Sequence, residues 1–351
     1  MQKVERPGMA NSSTSYRNKW QSGETTVIRV PREFAPRLLE LARRWDAGDS
    51  AGVQELEGTL ELEPMVKTPV TYSIARPVNV SSIPQRSPFR YPGGKTWLVP
   101  HIRRWLKSRL RRPTRLVEPF AGGAIVSLTA AFESLVGQVL FSEMDGGVAS
   151  VWKVVLNGRA EWLAKQIESF ELTEKNVRAT LERAATTIPE LAFQTLLRNR
   201  VQRGGIMAPG AGLVKTGEGN RGLGARWYPE TLARRIREIN AQKERLVFNQ
   251  CDGFSLMAEH ADDLETVFYV DPPYTVAAKR LYTCWQVDHE ALFAQMQRVR
   301  GDFLMSYDNT AEVRGLAARY GFVTRPIAMK NTHHEEMTEL LIGRDLSWLG
   351  E

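Results

Sequence analysis

Acidic residues lie at the ends of five apolar runs in the sequence. The runs are RLVEPF (115–120), QVLFSEMD (138–145), RLVFNQCD (245–252), TVFYVD (266–271) and DFLMSYD (302–308), and the acids are Glu118, Glu143 with Asp145, Asp252, Asp271 and Asp308. Such runs are typical of buried parallel strands, whose carboxyl ends line the ligand crevice of an open α/β sheet. Each acid alone could cap a helix. Because unpaired acids are costly to bury, the set together predicts a ligand site at one edge of a sheet.

A glycine-rich turn, EPFAGGA (118–124), follows the first run. Gly122 and Gly123 allow a tight turn that brings backbone N–H groups against a ligand at the start of a helix. Glu143 comes 21 residues after Gly122, near the spacing at which an acid meets a ribose hydroxyl pair. The pattern indicates a nucleoside-containing cofactor. NAD would favour a complete GxGxxG, which the chain lacks, and YPGGKT (91–96) is not a P-loop because Phe89 occupies the leading glycine position.

The most specific motif is Asp271-Pro272-Pro273-Tyr274, at the end of an apolar run. An exocyclic amine such as that of adenine is a poor nucleophile, because its lone pair is delocalised into the ring. A carboxylate and a backbone carbonyl that each accept one amino hydrogen would concentrate electron density on that nitrogen. Two prolines hold such a carbonyl rigidly, and the aromatic ring can stack on a base.

With this motif in place, the chain resembles the Dam-like, alpha-group DNA adenine-N6 methyltransferases from about Pro88 to Arg344. Eight motifs carry the resemblance, in the family's order: FRYPGGK (89–95), LVEPFAGGA (116–124), FSEMD (141–145), RNRVQRGG (198–205), CDGF (251–254), YVDPPYT (269–275), SYDN (306–309) and TELLIG (338–343). The resemblance implies a Rossmann-like sheet, an inserted helical target-recognition subdomain and S-adenosylmethionine as cofactor, with no metal.

The resemblance also implies roles for single residues. Asp271 and the carbonyl of Pro272 match the amino-group acceptors, next to Pro273, and Tyr274 matches the stacking ring. Cofactor-contacting positions match at Tyr91, Lys95, Glu118, Phe120, Gly122, Glu143 and Asp252. Well-known members have tryptophan where this chain has Tyr91, and usually aspartate where it has Glu143.

Basic charge is concentrated in two stretches of a chain whose net charge is +7. Eight Lys or Arg and no acid lie between positions 95 and 115, and eleven Lys or Arg with four acids lie between 198 and 245. This concentration favours a polyanion such as double-stranded DNA. The expected DNA-contacting residues, for bases or phosphates, are Arg198, Asn199, Arg200, Gln202, Arg203, Lys215, Arg221 and Arg226.

Strands alternate with helices predicted at 97–110, 124–135, 147–170 and 288–299, which indicates a doubly wound α/β fold. We expect a catalytic domain over 88–156 and 245–351, interrupted by a helical, basic target-recognition domain at 157–244. The rest of the chain comprises a disordered tail (1–23), an accessory α+β arm (24–62) and a linker (63–87). The arm has a strand at 25–30, a helix within 31–48 that ends at Gly48, and a second helix from Ser50 to about Leu60. The arm weakly resembles a ribbon-helix-helix DNA-binding arm; the alternative is a packing or dimerisation role. If the arm dimerises, it could pair two copies of the chain on a palindromic site.

The composition is that of a globular protein, with 42% hydrophobic and 25% charged residues. No apolar run approaches the ~18 residues of a membrane helix, and the N-terminus has no signal-peptide core. Two cysteines make neither a disulfide framework nor a zinc site. We expect a DNA-associated protein of a bacterial or phage cytoplasm, acting alone or with a restriction enzyme.

Three other functions share part of this pattern. A cytosine-N4 methyltransferase uses the same chemistry but more often has serine at the position of Asp271. An RNA base methyltransferase can carry the same motif but seldom has the long basic insertion. A DNA-binding regulator on a vestigial methyltransferase fold would not need these residues intact: Asp271, Tyr274, Lys95 and Gly122.

Overall fold

The computed structural model describes residues 35–49, 83–90, 94–205, 212–215, 221–274, 286–330 and 336–350. The chain forms two compact units, Met1–Thr71 and Tyr72–Glu351. In the first unit, helix α1 spans Ala35–Asp46 within the predicted range, and Gly48 follows its end at a φ of 76°. The predicted tail, the strand at 25–30, the helix from Ser50 and most of the linker lie outside the described residues.

The second unit is built on a seven-stranded sheet in the order β3-β2-β1-β4-β5-β7-β6. Its strands are β1 (Arg115–Glu118), β2 (Gln138–Ser142), β3 (Leu246–Asn249), β4 (Thr266–Val270), β5 (Phe303–Asp308), β6 (Val323–Lys330) and β7 (Glu336–Gly343). The first five are parallel, and β7 runs antiparallel between β5 and β6. The α/β fold and its five predicted strands are confirmed. Strands β6 and β7 were not predicted from the sequence.

Helices pack on both faces of this sheet. Leu116 and Val117 are consecutive on β1 but belong to two different hydrophobic clusters, as the alternation of a strand requires. The helices are α2 (Val99–Lys107), α3 (Ile125–Phe132), α4 (Gly146–Leu156), α5 (Ala160–Ser169), α6 (Glu174–Glu182), α7 (Ile188–Val201), α8 (Pro229–Asn240), α9 (Gly253–Glu259), α10 (His289–Arg298) and α11 (Ala311–Arg319). A 3-10 turn, Lys95–Leu98, precedes α2.

The single helix predicted at 147–170 is wrong, because α4 ends at Leu156 and α5 begins at Ala160. Gly158 lies between them at a φ of 87°, a left-handed conformation that favours glycine and stops a helix. The break lets α5 turn away and pack on α8. Arg237 of α8 there binds the carboxylates of Glu161 and Glu168, at 2.8 and 2.6 Å.

The inserted block 157–244 shares its core with the sheet. Leu163, Leu196 and Ile236, from α5, α7 and α8, belong to the same buried cluster as Phe141 of β2 and Trp152 of α4. The hydrophobic core is therefore continuous from the sheet into the insertion.

Among the described residues, no helix is long and apolar enough to cross a membrane. No group of three or more His, Cys, Asp and Glu side chains gathers there as a metal ion would require.

Candidate active site

The strand order reverses between β1 and β4. From β1 the chain continues to β2 and β3 on one side, whereas β4 leads to β5 on the other. Ligands of open α/β sheets bind outside the carboxyl ends of the strands at such a switch point. Glu118 is the last residue of β1, and Asp271 follows the last residue of β4, so both acids lie at this crevice.

Four side chains form what we call the lysine cluster: Lys95, Asp271, Tyr274 and Glu339. The Lys95 Nζ lies 2.6 Å from the Tyr274 hydroxyl oxygen, 3.2 Å from the Asp271 Oδ1 and 3.1 Å from the Glu339 Oε2. The Tyr274 hydroxyl is itself 3.1 Å from the Asp271 Oδ1 and 2.9 Å from the Glu339 Oε2. Because a hydroxyl has one proton, it donates to one of these carboxylates at a time.

Burial and the neighbouring opposite charges shift the pKa values of Lys95 and Glu339 in opposite directions. Burial alone would lower the pKa of Lys95, but the carboxylates of Asp271 and Glu339 outweigh it, so the pKa of Lys95 is raised. Burial also raises the pKa of Glu339, which Lys95 only partly offsets. The pKa of Tyr274 is raised well above its usual value by burial and by the nearby carboxylates. Lys95 is therefore a charged donor, and Tyr274 keeps its proton.

Asp271 and Tyr274 are also held from β5. The Ser306 hydroxyl donates to the Asp271 Oδ1 at 2.8 Å, and the Tyr269 hydroxyl lies 2.8 Å from the Ser306 Oγ. The Tyr307 ring stacks nearly parallel on the Tyr274 ring, with 5.9 Å between centroids. Among the residues that the structure describes, every hydrogen bond and ion pair of the Asp271 carboxylate uses Oδ1.

Glu118 lies beneath the glycine-rich turn and is only 3% exposed. Its Oε2 accepts hydrogen bonds from the backbone N–H of Ser127, at 2.8 Å, and from the Ser127 hydroxyl. Burial raises the pKa of Glu118 to about 8. The side chain thus ties the end of β1 to the first turn of α3, and so holds the turn 119–124 in shape.

Glu143 extends from the end of β2 toward the same turn. Its Oε2 accepts from the backbone N–H of Gly122 at 3.2 Å, and its Oε1 accepts from that of Asp145 at 2.9 Å. Burial raises the pKa of Glu143 to about 7. Gly122 has a φ of 48°, which glycine adopts without steric cost. Asp145 caps α4 by accepting from the N–H of Val148 at 2.9 Å, so this acid has a structural role.

The end of β3 approaches the same turn. A Cβ at Gly253 would lie 2.7 Å from the carbonyl oxygen of Pro119 and 3.0 Å from the Phe120 ring. Phe120 makes an edge-to-face contact with Phe254, at 6.3 Å between centroids. Asp252 precedes α9, is exposed and makes no capping bond with its side chain. Lys95, Glu118, Phe120, Gly122, Glu143 and Asp252 therefore all lie at the carboxyl ends of β1 to β4, whereas Tyr91 lies outside the described residues.

The predicted DNA-contacting residues separate into two groups. A cleft of about 1190 Å³ in the insertion is lined by five of them, Arg198, Gln202, Arg203, Lys215 and Arg221. Arg178 adds a further guanidinium, and Glu174 and Glu182 add two carboxylates. Leu172, Val177, Leu181, Leu213 and Leu223 supply apolar surface. Five cations against two carboxylates make the lining net positive, a charge that favours phosphate groups.

Asn199 and Arg200, by contrast, point into the protein, which corrects the prediction that they read bases. Asn199 is fully buried: its Oδ1 accepts from the backbone N–H of Arg90 at 2.8 Å, and its Nδ2 donates to the carbonyls of Arg90 and Gly205, both at 2.9 Å. Arg200 is 4% exposed and donates to the carbonyl of Pro88. Both hold the segment before Lys95 against α7. Arg226 is partly buried and does not line the cleft.

The family of the chain follows from a comparison of its sequence with family models. Residues 91–326 match the model of the D12 class N6 adenine-specific DNA methyltransferases. The chain belongs to this family. The match includes Lys95, Asp271 and Tyr274, and it ends before Glu339.

Two solved structures resemble this D12-class chain at low identity. One is an S-adenosylmethionine-dependent methyltransferase from Agrobacterium tumefaciens, 6% identical, with a TM-score of 0.33 over 70% of this chain and 59% of that one. The chain thus matches less than two thirds of that protein's length. The other is a methyltransferase from Geobacter sulfurreducens, 13% identical, with a TM-score of 0.33 over 73% of this chain and 80% of that one. A search of curated proteins finds no match.

Two residues of the D12-class site were absent from the sequence predictions, Glu339 and Ser306. Both lie in motifs that the resemblance uses, TELLIG and SYDN, but neither motif indicated a catalytic role. The signal for Glu339 was an acid directly before four consecutive apolar or small residues, Leu340 to Gly343. An acid in such a run must find a partner when the strand is buried.

Proposed function

We propose that this chain is a site-specific DNA methyltransferase that transfers a methyl group from S-adenosylmethionine to N6 of an adenine flipped out of double-stranded DNA. Membership of the D12 class supports the reaction and the substrate class. The observation that carries the proposal is the Asp271 carboxylate, which lies at the switch point and is anchored through Oδ1 by Lys95, Tyr274 and Ser306. Among the described residues no contact uses Oδ2, and we assign this oxygen to accept an amino hydrogen of the base.

The protein's contribution to the reaction is to hold and polarise the amino group. Asp271 Oδ2 accepts one N6 hydrogen, and the carbonyl of Pro272 accepts the other, as the resemblance implies. The two bonds align the nitrogen lone pair with the electrophile and stabilise the positive charge that develops on N6. Tyr274, fixed through its hydroxyl and stacked on Tyr307, supplies a ring for the base to stack on.

The residues at the ends of β1 to β3 fit S-adenosylmethionine, which when bound supplies a methyl group on a positively charged sulfur. Gly122, in its left-handed conformation, lets the backbone approach the ligand closely. Glu143 is only partly buried, and its carboxylate accepts backbone hydrogen bonds from Asp145, Met144 and Gly122, which leaves capacity for a ribose hydroxyl. Phe120 and the exposed Asp252 lie beside them. Glu118 is buried, so we assign it the support of the turn.

The cleft in the insertion is the proposed DNA-contacting surface. Adenine N6 is inaccessible inside a duplex, so the base must leave the stack, at a cost of a few kcal/mol. Phosphate contacts from Arg198, Arg203, Lys215 and Arg221 would offset this cost, and Gln202 remains available to contact a base. The protein would act on DNA in the cytoplasm.

A homodimer on a palindromic site remains part of the proposal. Leu39 and Trp45 of α1 are 44% and 55% exposed, and two-fold protein symmetry would match two-fold DNA symmetry. Light scattering of the full chain and of a Leu39→Glu/Trp45→Glu variant, each with and without DNA, tests it. Monomers in all four samples would rule out the dimer.

The central experiment is long-read methylome sequencing of a host that expresses the chain, with an Asp271→Ala variant as control. We expect N6-methyladenine in one sequence context with the wild-type protein and none with the variant. N4-methylcytosine, or methylation of RNA alone, would refute the proposed substrate.

A further inference from the structure

Glu339 gives the lysine cluster a second carboxylate. The sequence between Lys95 and Glu339 spans 244 positions, and β7 brings Glu339 to the site from an antiparallel strand. It binds the Lys95 Nζ at 3.1 Å and the Tyr274 hydroxyl at 2.9 Å, and it is 9% exposed. One ammonium and two carboxylates sum to a charge of −1 when all three groups are ionised.

The reaction changes this charge. When N6 attacks the methyl carbon, the new C–N bond forms as the C–S bond breaks, and the bonding pair remains on sulfur. N6 then carries a positive charge until one N–H bond breaks. Under the proposed function, the nearest base for that proton is Asp271, which becomes a neutral acid.

A neutral Asp271 would no longer compensate the charge of Lys95. A buried ammonium without a counter-ion is strongly destabilising, because its charge has lost its hydration shell. Glu339 contacts the same ammonium at 3.1 Å and takes no proton in this step. With Glu339 present, the net charge of the lysine cluster therefore changes from −1 to 0 when Asp271 is protonated. Without Glu339, the net charge would change from 0 to +1.

We propose that Glu339 is a positioning residue that acts through Lys95 and Tyr274: it keeps Lys95 compensated while Asp271 takes the proton, and it favours the positive charge that develops on N6. This rests on the proposed function, in which Asp271 faces the target amine.

The surroundings of Glu339 support a charge role. Lys95, from the 3-10 turn before α2, is its cationic contact, and Asp271 and Tyr274 face it from the end of β4. On β5, Asp308 pairs directly with it in register, and on β6 its partner is the apolar Ile327. Tyr269 lies close enough for the charge of Glu339 to act electrostatically on its hydroxyl group. Since burial raises the pKa of Glu339, its charge is lost early as the pH falls.

The test compares Glu339→Gln, which keeps the size and an accepting oxygen, with Glu339→Asp, which keeps the charge. Single-turnover transfer to an adenine-containing duplex is measured at saturating cofactor and DNA. At pH 8 we expect Glu339→Gln to be roughly 30- to 300-fold slower than wild type, which is less than the roughly 100- to 1000-fold found when a direct contact to a transition state is lost, because Glu339 acts through Lys95. Glu339→Asp should be faster than Glu339→Gln, and dissociation constants for S-adenosylmethionine and DNA should change less than threefold. The exposed Glu230→Gln of α8 is the matched control and should equal wild type.

The pH dependence separates charge from structure. As the pH is lowered, wild type also loses the Glu339 charge, so the ratio of the wild-type to the Glu339→Gln rate should shrink toward one. A ratio constant with pH, a Glu339→Gln rate within twofold of wild type at pH 8, or Glu339→Gln as fast as Glu339→Asp would overturn the inference. If Glu339→Gln folds poorly, the test uses the single-turnover rates of Glu339→Asp and of wild type as a function of pH. A wild-type rate that does not change over the pH range in which Glu339 loses its charge would refute the charge role. A wild-type protein that forms no N6-methyladenine would overturn the proposed function as well.

Discussion

Lys95 and Glu339 form a buried ion pair of 3.1 Å that joins the first motif of the catalytic unit to its last strand. The pair closes around Asp271 and Tyr274, which come from the centre of the sheet. Strand β7 therefore helps to place Lys95 and Tyr274, which both bond the Asp271 carboxylate. The antiparallel strands thus contribute directly to the active site and do not only complete the sheet.

Asp271→Ala should abolish methyl transfer and leave the affinity for S-adenosylmethionine within about tenfold, or ~1.4 kcal/mol. The reason is that, under the proposed function, Asp271 faces the target amine, whereas the residues proposed to hold the cofactor lie mainly at the ends of β1 to β3. A tritium transfer assay and calorimetric titration measure the two quantities. Retained transfer would remove Asp271 from the mechanism.

Cofactor binding should depend on pH through Glu143. Its pKa is raised to about 7, and the ionised form is the better acceptor for ribose hydroxyls. From pH 6 to pH 8 the affinity for S-adenosylmethionine should therefore rise by about tenfold, measured by calorimetry. Glu143→Gln should bind more weakly and show only the cofactor's own pH dependence; equal slopes in both proteins would contradict the assignment.

Glu118 should make folding stability fall with rising pH. Its folded pKa, about 8, lies above the ordinary glutamate value of 4.5. The stability it contributes is therefore fully present below the ordinary value and is lost as the pH rises through 8. Relative to Glu118→Gln, whose oxygen can still accept from Ser127, wild type should lose on the order of a few kcal/mol between pH 5 and pH 9. Denaturant unfolding at both pH values measures this, and parallel curves for the two proteins would refute it.

Asn199→Ala should lower the free energy of unfolding and leave the preference for particular DNA sequences unchanged. The substitution leaves the backbone groups of Arg90 and Gly205 without their partner, at about 1–3 kcal/mol for each buried group. Gln202 lies about one helical turn after Asn199 and lines the cleft. Gln202→Ala should therefore alter DNA binding, while its free energy of unfolding should stay within about 0.5 kcal/mol of the wild-type value. Thermal unfolding and DNA binding by fluorescence anisotropy separate the two. Asn199→Ala with wild-type stability and altered sequence preference would restore it as a base reader.

DNA binding should weaken steeply with salt. The slope of log K against log salt should be about −3 to −6, for some four to six phosphate contacts. Neutralising Arg198, Arg203, Lys215 or Arg221 should each make the slope shallower by about one. Arg319→Gln, which only loses a surface bond to Glu290, is the control and should leave the slope unchanged. A wild-type slope near zero would mean that the cleft does not bind DNA.

The sequence was most informative where neighbouring residues act together. The five parallel strands and the Asp271-Pro272-Pro273-Tyr274 turn depend on local runs, so the pattern alone predicts them. Glu339 could not be found in this way, because its partner Lys95 is remote in sequence and the strand that carries Glu339 is antiparallel. The orientation of α7 was equally hidden: whether Arg198 or Asn199 faces the cleft depends on how the helix packs against the backbone of Arg90.

Among the described residues, one hydrophobic core runs from the sheet into the insertion, so the sheet and the insertion share buried side chains and do not pack as separate bodies. Leu196 and Leu197 of α7 are buried in the same cluster as Trp152, whose indole Nε1 donates to the carbonyl of Gly122 at 3.0 Å. Rotating α7 as a rigid body would expose these residues to water and pull on the glycine-rich turn. Under the proposed function, we therefore expect discrimination between DNA sequences to come from side chains and short loops at the cleft and from the energy of deforming the DNA, with the protein acting as a rigid template.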